Sequence, residues 1–177
     1  TTLHTSILIG LLAISANIST AQRRATGAII HPASVAATPQ KVALSLRSFR
    51  GLPASYSLEK YCPTPADQGN HGTCVAFANG YGLATILYAR THNVTDKNLI
   101  DKYAFSPTYL YERFKSVDDN DCQKGTDPIK AIFTLIDSGD ALLTTVTYQC
   151  GTPISFYAKL EASLYRVADL AVLFAAK

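Results

Sequence analysis

Charge is scarce in this chain: of its 177 residues 16% are Asp, Glu, Lys or Arg, against 47% hydrophobic. That balance excludes a disordered chain and describes one that folds around a core, which ten tyrosines and seven phenylalanines can fill. The net charge is only +3. Apart from Arg23-Arg24 and the looser pair Lys159 and Arg166, the basic residues are scattered, so no stripe matches a nucleic-acid backbone and nucleic acid is not an expected partner. No Cys-x-x-Cys or His-x-x-x-His spacing occurs, and His4, His31, His71 and His92 stand apart from one another, so a structural zinc site has no support and no cofactor is expected. Four cysteines are too few for a disulfide scaffold. With Cys74 set aside, Cys62, Cys122 and Cys150 allow one bridge, in any of three pairings, and one free thiol. No internal repeat is present.

Thr1 to Ala21 lacks Lys, Arg, Asp and Glu, and its apolar run Ser6–Ala16 followed by small residues reads as a signal-peptide core, placing the protein in a secreted or periplasmic location. Neither an initiating Met nor a basic segment precedes it, as expected of a sequence that starts inside a longer reading frame. Asn17, Ser19 and Thr20 interrupt it, so a stable membrane span is not expected. Residues 22–51 mix Arg, Pro, Ala and Gly around a short strand candidate at Val42–Leu46, and read as an N-terminal extension too short to fold by itself and block a cleft. The domain proper then starts near Leu52 and runs through Tyr61-Cys62-Pro63-Thr64-Pro65, where two prolines stiffen the approach.

The stretch Asp67 to Gly82 carries the chemistry. Gly69, Asn70 and Gly72 read as a tight loop, and Val75, Phe77, Ala78 and Tyr81 open a helix running to about Ala89, with Cys74 at the junction. The unpaired amides and dipole of a helix start favour negative charge, as a thiolate nucleophile requires. Gln68 offers a side-chain amide that, with the Cys74 backbone N–H, makes two donors for an oxyanion. A plain buried cysteine that happens to begin a helix is the bland alternative.

Further along, Ser106 as N-cap and Pro107 at the first position start a second helix, and Pro128–Asp137 forms a third, capped by Thr126 or Asp127 and ended by Gly139. Ile129, Ile132, Phe133 and Ile136 share one face of it. Ala141–Tyr148 reads as extended and Tyr165-Arg166-Val167 as the start of another strand, while Phe156–Leu164 fits a short helix.

The run from Asp67 to Ala78 resembles the nucleophile segment of papain-family cysteine peptidases, and Ser106–Tyr111 and Cys122-Gln123-Lys124-Gly125 resemble the same family's later segments. The resemblance implies an α+β fold: a papain-like helical left domain over 52–140 and the start of a β-barrel right domain over 141–177. It implies cysteine-type hydrolysis of a peptide or protein substrate, with Cys74 as nucleophile, Gln68 in the oxyanion hole, and Lys124 and Gly125 on the wall that pairs with substrate backbone. His71 stands where the family has a cysteine, which leaves Cys62 as the implied partner of Cys122. The family's Trp after the nucleophile is Val75, and the first glycine of its wall is Lys124.

In such enzymes the general-base histidine and its asparagine follow the cysteine by roughly 130 to 150 residues. They are therefore expected from the remainder of the polypeptide or from a second chain, and residues 1–177 alone are expected to be inactive. His92 follows the wrong element, and His71 lies in the same turn as Cys74, beside the cleft mouth. The competing expectations are a catalytically inactive papain-like binding or scaffold protein, a transglutaminase-like acyltransferase and a plain helical domain.

Overall fold

The computed structural model describes residues 27–40 and 53–171. The signal-like run, the strand candidate at Val42–Leu46 and the last residues of the chain lie outside them.

The centre is one continuous helical rod. It begins as α2, Cys74–Ala76, widens into a π-helical stretch, Phe77–Ala84, and returns to α-helix as α3, Thr85–Thr91. The wide stretch contains Gly80, which has no side chain to hold neighbours away: a Cβ there would come within 2.6 Å of an Asp140 carboxylate oxygen and 3.3 Å of Leu110. Asn79 turns its amide back onto the Val75 carbonyl at 2.9 Å.

Capping residues set the helices around this rod. Ser106 accepts from the Tyr109 N–H at 3.0 Å and precedes Pro107, which starts α5, Pro107–Phe114. Asp127 accepts from the Ile129 N–H at 2.8 Å and precedes Pro128, which starts α6, Pro128–Asp137. Gly139 follows in the left-handed conformation, φ +73°. A shorter helix, α4 over Lys97–Lys102, is capped by Asp96 and buries Ile100. Two further helices are α1 over Pro32–Ala37 and α7 over Phe156–Ala162.

The core lies where α2, the π-helical stretch, α5 and α6 meet, with Val75, Ala76, Leu110, Tyr111, Ala131 and Leu135 buried. On α6 the fully buried positions are Ala131 and Leu135, while Ile129, Ile132, Phe133 and Ile136 are only half-buried. The innermost face of that helix is thus one position removed from the expected apolar face.

The expected β-barrel start is overturned. Among the described residues there is no strand, only the isolated bridges Ala28–Thr126 and Phe105–Leu142. Thr145 and Val146 both donate their N–H to the Leu142 carbonyl at 3.0 Å, which closes a turn where Ala141–Tyr148 reads as extended. Val167 donates to Leu135 O at 3.1 Å, at the end of α6, and makes no ladder. The α+β description therefore gives way to a helical fold like a papain-type left domain.

Asp140 is buried completely beneath the rod, and among the described residues no side chain hydrogen-bonds its carboxylate. Burial pushes its pKa well above the ordinary carboxylate value.

Candidate functional site

The loop before Cys74 is tied in place from several sides. Gly69 takes a left-handed φ of +62°, and its N–H donates to the Asp67 carboxylate at 2.9 Å. Gln68 Nε2 donates to the His71 carbonyl at 2.7 Å, so one of its two N–H groups braces its own loop. The Tyr148 hydroxyl donates to Gln68 O at 2.7 Å and lies 2.8 Å from the Thr73 hydroxyl.

The second wall is the loop after α5. Its hinge is Tyr111, whose hydroxyl donates to Asp119 at 2.5 Å and accepts from the Gly125 N–H at 3.2 Å. Burial acts to raise the Asp119 pKa, and bonds from Tyr111 and the Gln123 and Lys124 amides outweigh it, leaving the carboxylate below its usual range. Gly72 N–H donates to Cys122 O at 2.6 Å, and Gln123 Nε2 to Asn70 O at 2.9 Å, joining the two walls.

A third segment lies across both. The Thr126 N–H donates to Gly27 O at 2.7 Å, and the Ile29 N–H donates to Thr126 O at 2.8 Å, in parallel register. Gly27 lies so close to the Cys74 loop that a Cβ on it would stand 1.9 Å from Gly72 O and 2.9 Å from Cys74 Sγ. A Cβ on Gly125, φ +73°, would stand 2.6 Å from Gly27 O. Gly27, Gly72 and Gly125 thus pack backbone against backbone beside the Cys74 sulfur, with Gly27 the one that meets it. The segment continues into α1, where the Ser34 hydroxyl donates to Asp127 at 2.6 Å. Residues 27–40, within the 22–51 stretch read as an N-terminal extension too short to fold by itself and block a cleft, form a strap over it.

Cys74 itself is half-buried with a free thiol. No Cys-His pair forms at it among the described residues. His71 turns Nδ1 toward Asp121 O at 3.3 Å, and His92 turns Nδ1 toward Tyr88 O at 2.9 Å, at the far end of α3. Lys124 points away and pairs with Asp118 at the surface, a contact that holds the Asp118 pKa down at about 2. Of the two implied wall residues, only Gly125 is against the strap.

The implied Cys62–Cys122 bridge is also overturned. Cys122 pairs with Cys150, Cα to Cα 5.9 Å, and Cys62 is free with its thiol on Leu58 O at 3.5 Å. Glu112 lies beside the bridge, and its ligand atom and the two sulfurs all fall within 4.8 Å of one another. The cluster of acid and sulfur groups in this region is thus Glu112, Cys122 and Cys150, with both sulfurs committed to each other and Glu112 paired with Lys115 at 2.9 Å. It is not a Cys-His-Asn constellation. The expected main activity, peptide hydrolysis by an activated thiolate, is contradicted on these grounds.

Sequence reasoning missed Gly27, Thr126, Ser34 and Tyr148 as members of the site. Only the lone Gly27 in a mixed-composition segment was a visible signal, and its steric partners are about 45 residues away along the chain.

No family model matches the chain, and no curated protein does. A solved structure does: xylellain, a cysteine protease from Xylella fastidiosa. The likeness is one of fold. The TM-score is 0.62 at 16% identity, over 86% of this chain and 60% of xylellain. The chain therefore spans less than two thirds of that protein's length. It supports a papain-like helical fold at the broadest level, which agrees with the resemblance carried by Asp67–Ala78.

Proposed function

We propose that this chain is a non-catalytic papain-like binding protein, one that holds an extended polypeptide segment over Cys74 without cleaving it. One observation carries the reading: the groove edge at Thr126 is hydrogen-bonded to Gly27–Ile29, and Gly27 is packed on the Cys74 sulfur. In this reading Cys74 and Gly72 form the floor, Gly125 and Thr126 the wall, and Gln68 a brace that fixes the loop. Backbone pairing at an exposed edge gives affinity without chemistry on the bound chain. Among the described residues no histidine pairs with the Cys74 thiol, the partner that activates it in cysteine peptidases.

An exported location belongs to the same reading. It is supported by the Cys122–Cys150 disulfide, which suits an oxidising compartment, and by the apolar run Ser6–Ala16. Among the described residues no helix is long and apolar enough to cross a membrane.

The test is hydrolysis of unfolded casein by the wild-type chain and by Cys74→Ala. The reading expects no turnover that depends on Cys74. Turnover in the wild type that disappears in Cys74→Ala overturns it.

A further inference from the structure

Helix α7 turns its small residues inward and its large apolar ones outward. Ala158 and Ala162 are fully buried in a cluster with Tyr109, Ala141 and Val146. Phe156, Tyr157, Leu160 and Leu164 face solvent, exposed by 81%, 67%, 55% and 75%. Phe156, Leu160 and Leu164 are spaced by four, so they share one face. Leu164 is still on the helical turn, because the Ser163 N–H donates to Lys159 O at 3.2 Å and the Leu164 N–H to Glu161 O at 3.0 Å.

The charges at this face are of one sign. Lys159 is three positions from Phe156 and so its neighbour on the helix surface, and Arg166 follows two residues after Leu164; both are exposed. The one acid of the helix, Glu161, is turned inward. Its carboxylate accepts from the Leu142 N–H at 3.0 Å and from the Thr145 hydroxyl at 2.9 Å. An apolar ridge with aromatic residues at one end, cations beside it and its acid withdrawn is complementary to a surface that is apolar beneath and negative above.

Size favours the same occupant. A stable protein partner takes about 20–30 residues a side, far more than one short helix presents. A bilayer needs only the shallow entry of a few side chains, with basic residues among the headgroups.

We propose that the outer face of α7 docks on an anionic lipid bilayer, with Phe156, Leu160 and Leu164 entering the acyl boundary and Tyr157, Lys159 and Arg166 lying among the headgroups. The contact is peripheral, and it stands apart from whether Cys74 cuts or only binds.

The experiment is co-sedimentation of the full chain with large unilamellar vesicles, either of phosphatidylcholine alone or of three parts phosphatidylcholine to one part phosphatidylglycerol. Binding is expected to the anionic vesicles, weakly or not at all to the neutral ones, and to fall as salt is raised. Leu160→Asp is expected to lower the partition coefficient on anionic vesicles by about tenfold or more, since it withdraws a buried leucine from the boundary. Lys159→Glu is expected to remove most of the preference for anionic over neutral lipid. Leu99→Asp, at an exposed apolar residue of α4, is expected to leave binding unchanged. Far-UV circular dichroism verifies that each variant is folded, and the substituted side chains are exposed.

Absence of binding overturns the proposal. Binding undiminished in Leu160→Asp does so too, and assigns the affinity to another segment such as the apolar run Ser6–Ala16. An equal loss in Leu99→Asp, or full anionic preference in Lys159→Glu, overturns the assignment to this face. A lipid-free dimer in sedimentation velocity that Leu160→Asp dissolves overturns it in favour of a second copy of the chain.

Discussion

Gly27 and Cys74 are in contact across 47 positions of sequence, so close that a single methyl group on Gly27 would fall 2.9 Å from the sulfur. A thiol held that way is covered by backbone on one side while it stays half-buried overall. The contact links the segment that leads into α1 to the start of the central rod, and the predictions that follow concern what holds the two together.

The strap is anchored at Asp127. Ser34→Ala removes one hydrogen bond to a charged group and is expected to cost about 1.5–3 kcal/mol or less of strap docking, read as faster hydrogen exchange at the Thr126 and Ile29 amides. Asp127→Ala removes that anchor together with the α6 cap, and is expected to lower global stability by about 0.5–2 kcal/mol for the cap alone. Since the folded Asp127 pKa lies below its unfolded value, its contribution is present above the ordinary carboxylate value near pH 4 and is lost as pH falls through the folded pKa. Urea titrations at pH 3 and pH 6 should differ less for Asp127→Ala than for the wild type.

The Cys122–Cys150 bridge closes a loop of separation 28, and Cys122 O also holds the Gly72 N–H. Cys150→Ser is expected to cost about 3–4 kcal/mol by loop-closure entropy. Unfolding of Cys150→Ser and of Cys62→Ser in urea separates the cases: only the first should move the midpoint strongly. An equal shift for both would contradict the observed pairing.

Asp140 sets an opposite pH dependence. Its folded pKa is raised, so its contribution is fully present below the unfolded value near 4 and is lost as pH rises from there through the folded pKa. Each pH unit in that window is worth about 1.4 kcal/mol. Tyr109 feels the Asp140 charge: burial raises its pKa most, Arg113 on the same helix lowers it and Asp140 raises it. Asp140→Asn, neutral at every pH, should flatten the fall in melting temperature between pH 5 and pH 8. A wild-type slope retained in Asp140→Asn would show that another group titrates there.

The helices that were legible in the sequence are the ones with a local signature. Ser106-Pro107 and Asp127-Pro128 announce their starts because a cap and a proline act within three residues. The junction at Cys74 was legible for the same reason, through Gly69 and Gly72. Two kinds of feature were not legible. The first depends on a partner: Thr144-Thr145-Val146-Thr147 has the β-branched composition of a strand, but among the described residues no neighbouring strand receives it, and the Leu142 carbonyl gathers its amides into a turn instead. The second depends on long-range contact. Cys150 as the partner of Cys122, and Gly27 as the lid on Cys74, are set by how α5, α6 and the strap pack, and no spacing along the chain encodes them.

The most direct measurement combines the two ends of the central contact. Hydrolysis of unfolded casein is followed for the wild type, Gly27→Ala and the double variant Gly27→Ala with Cys74→Ala. If the chain binds and does not cut, Gly27→Ala exposes Cys74 to alkylation and still shows no more hydrolysis than the double variant. If lifting the strap switches on hydrolysis that the double variant lacks, Cys74 is a working nucleophile under a lid and the non-catalytic account is wrong.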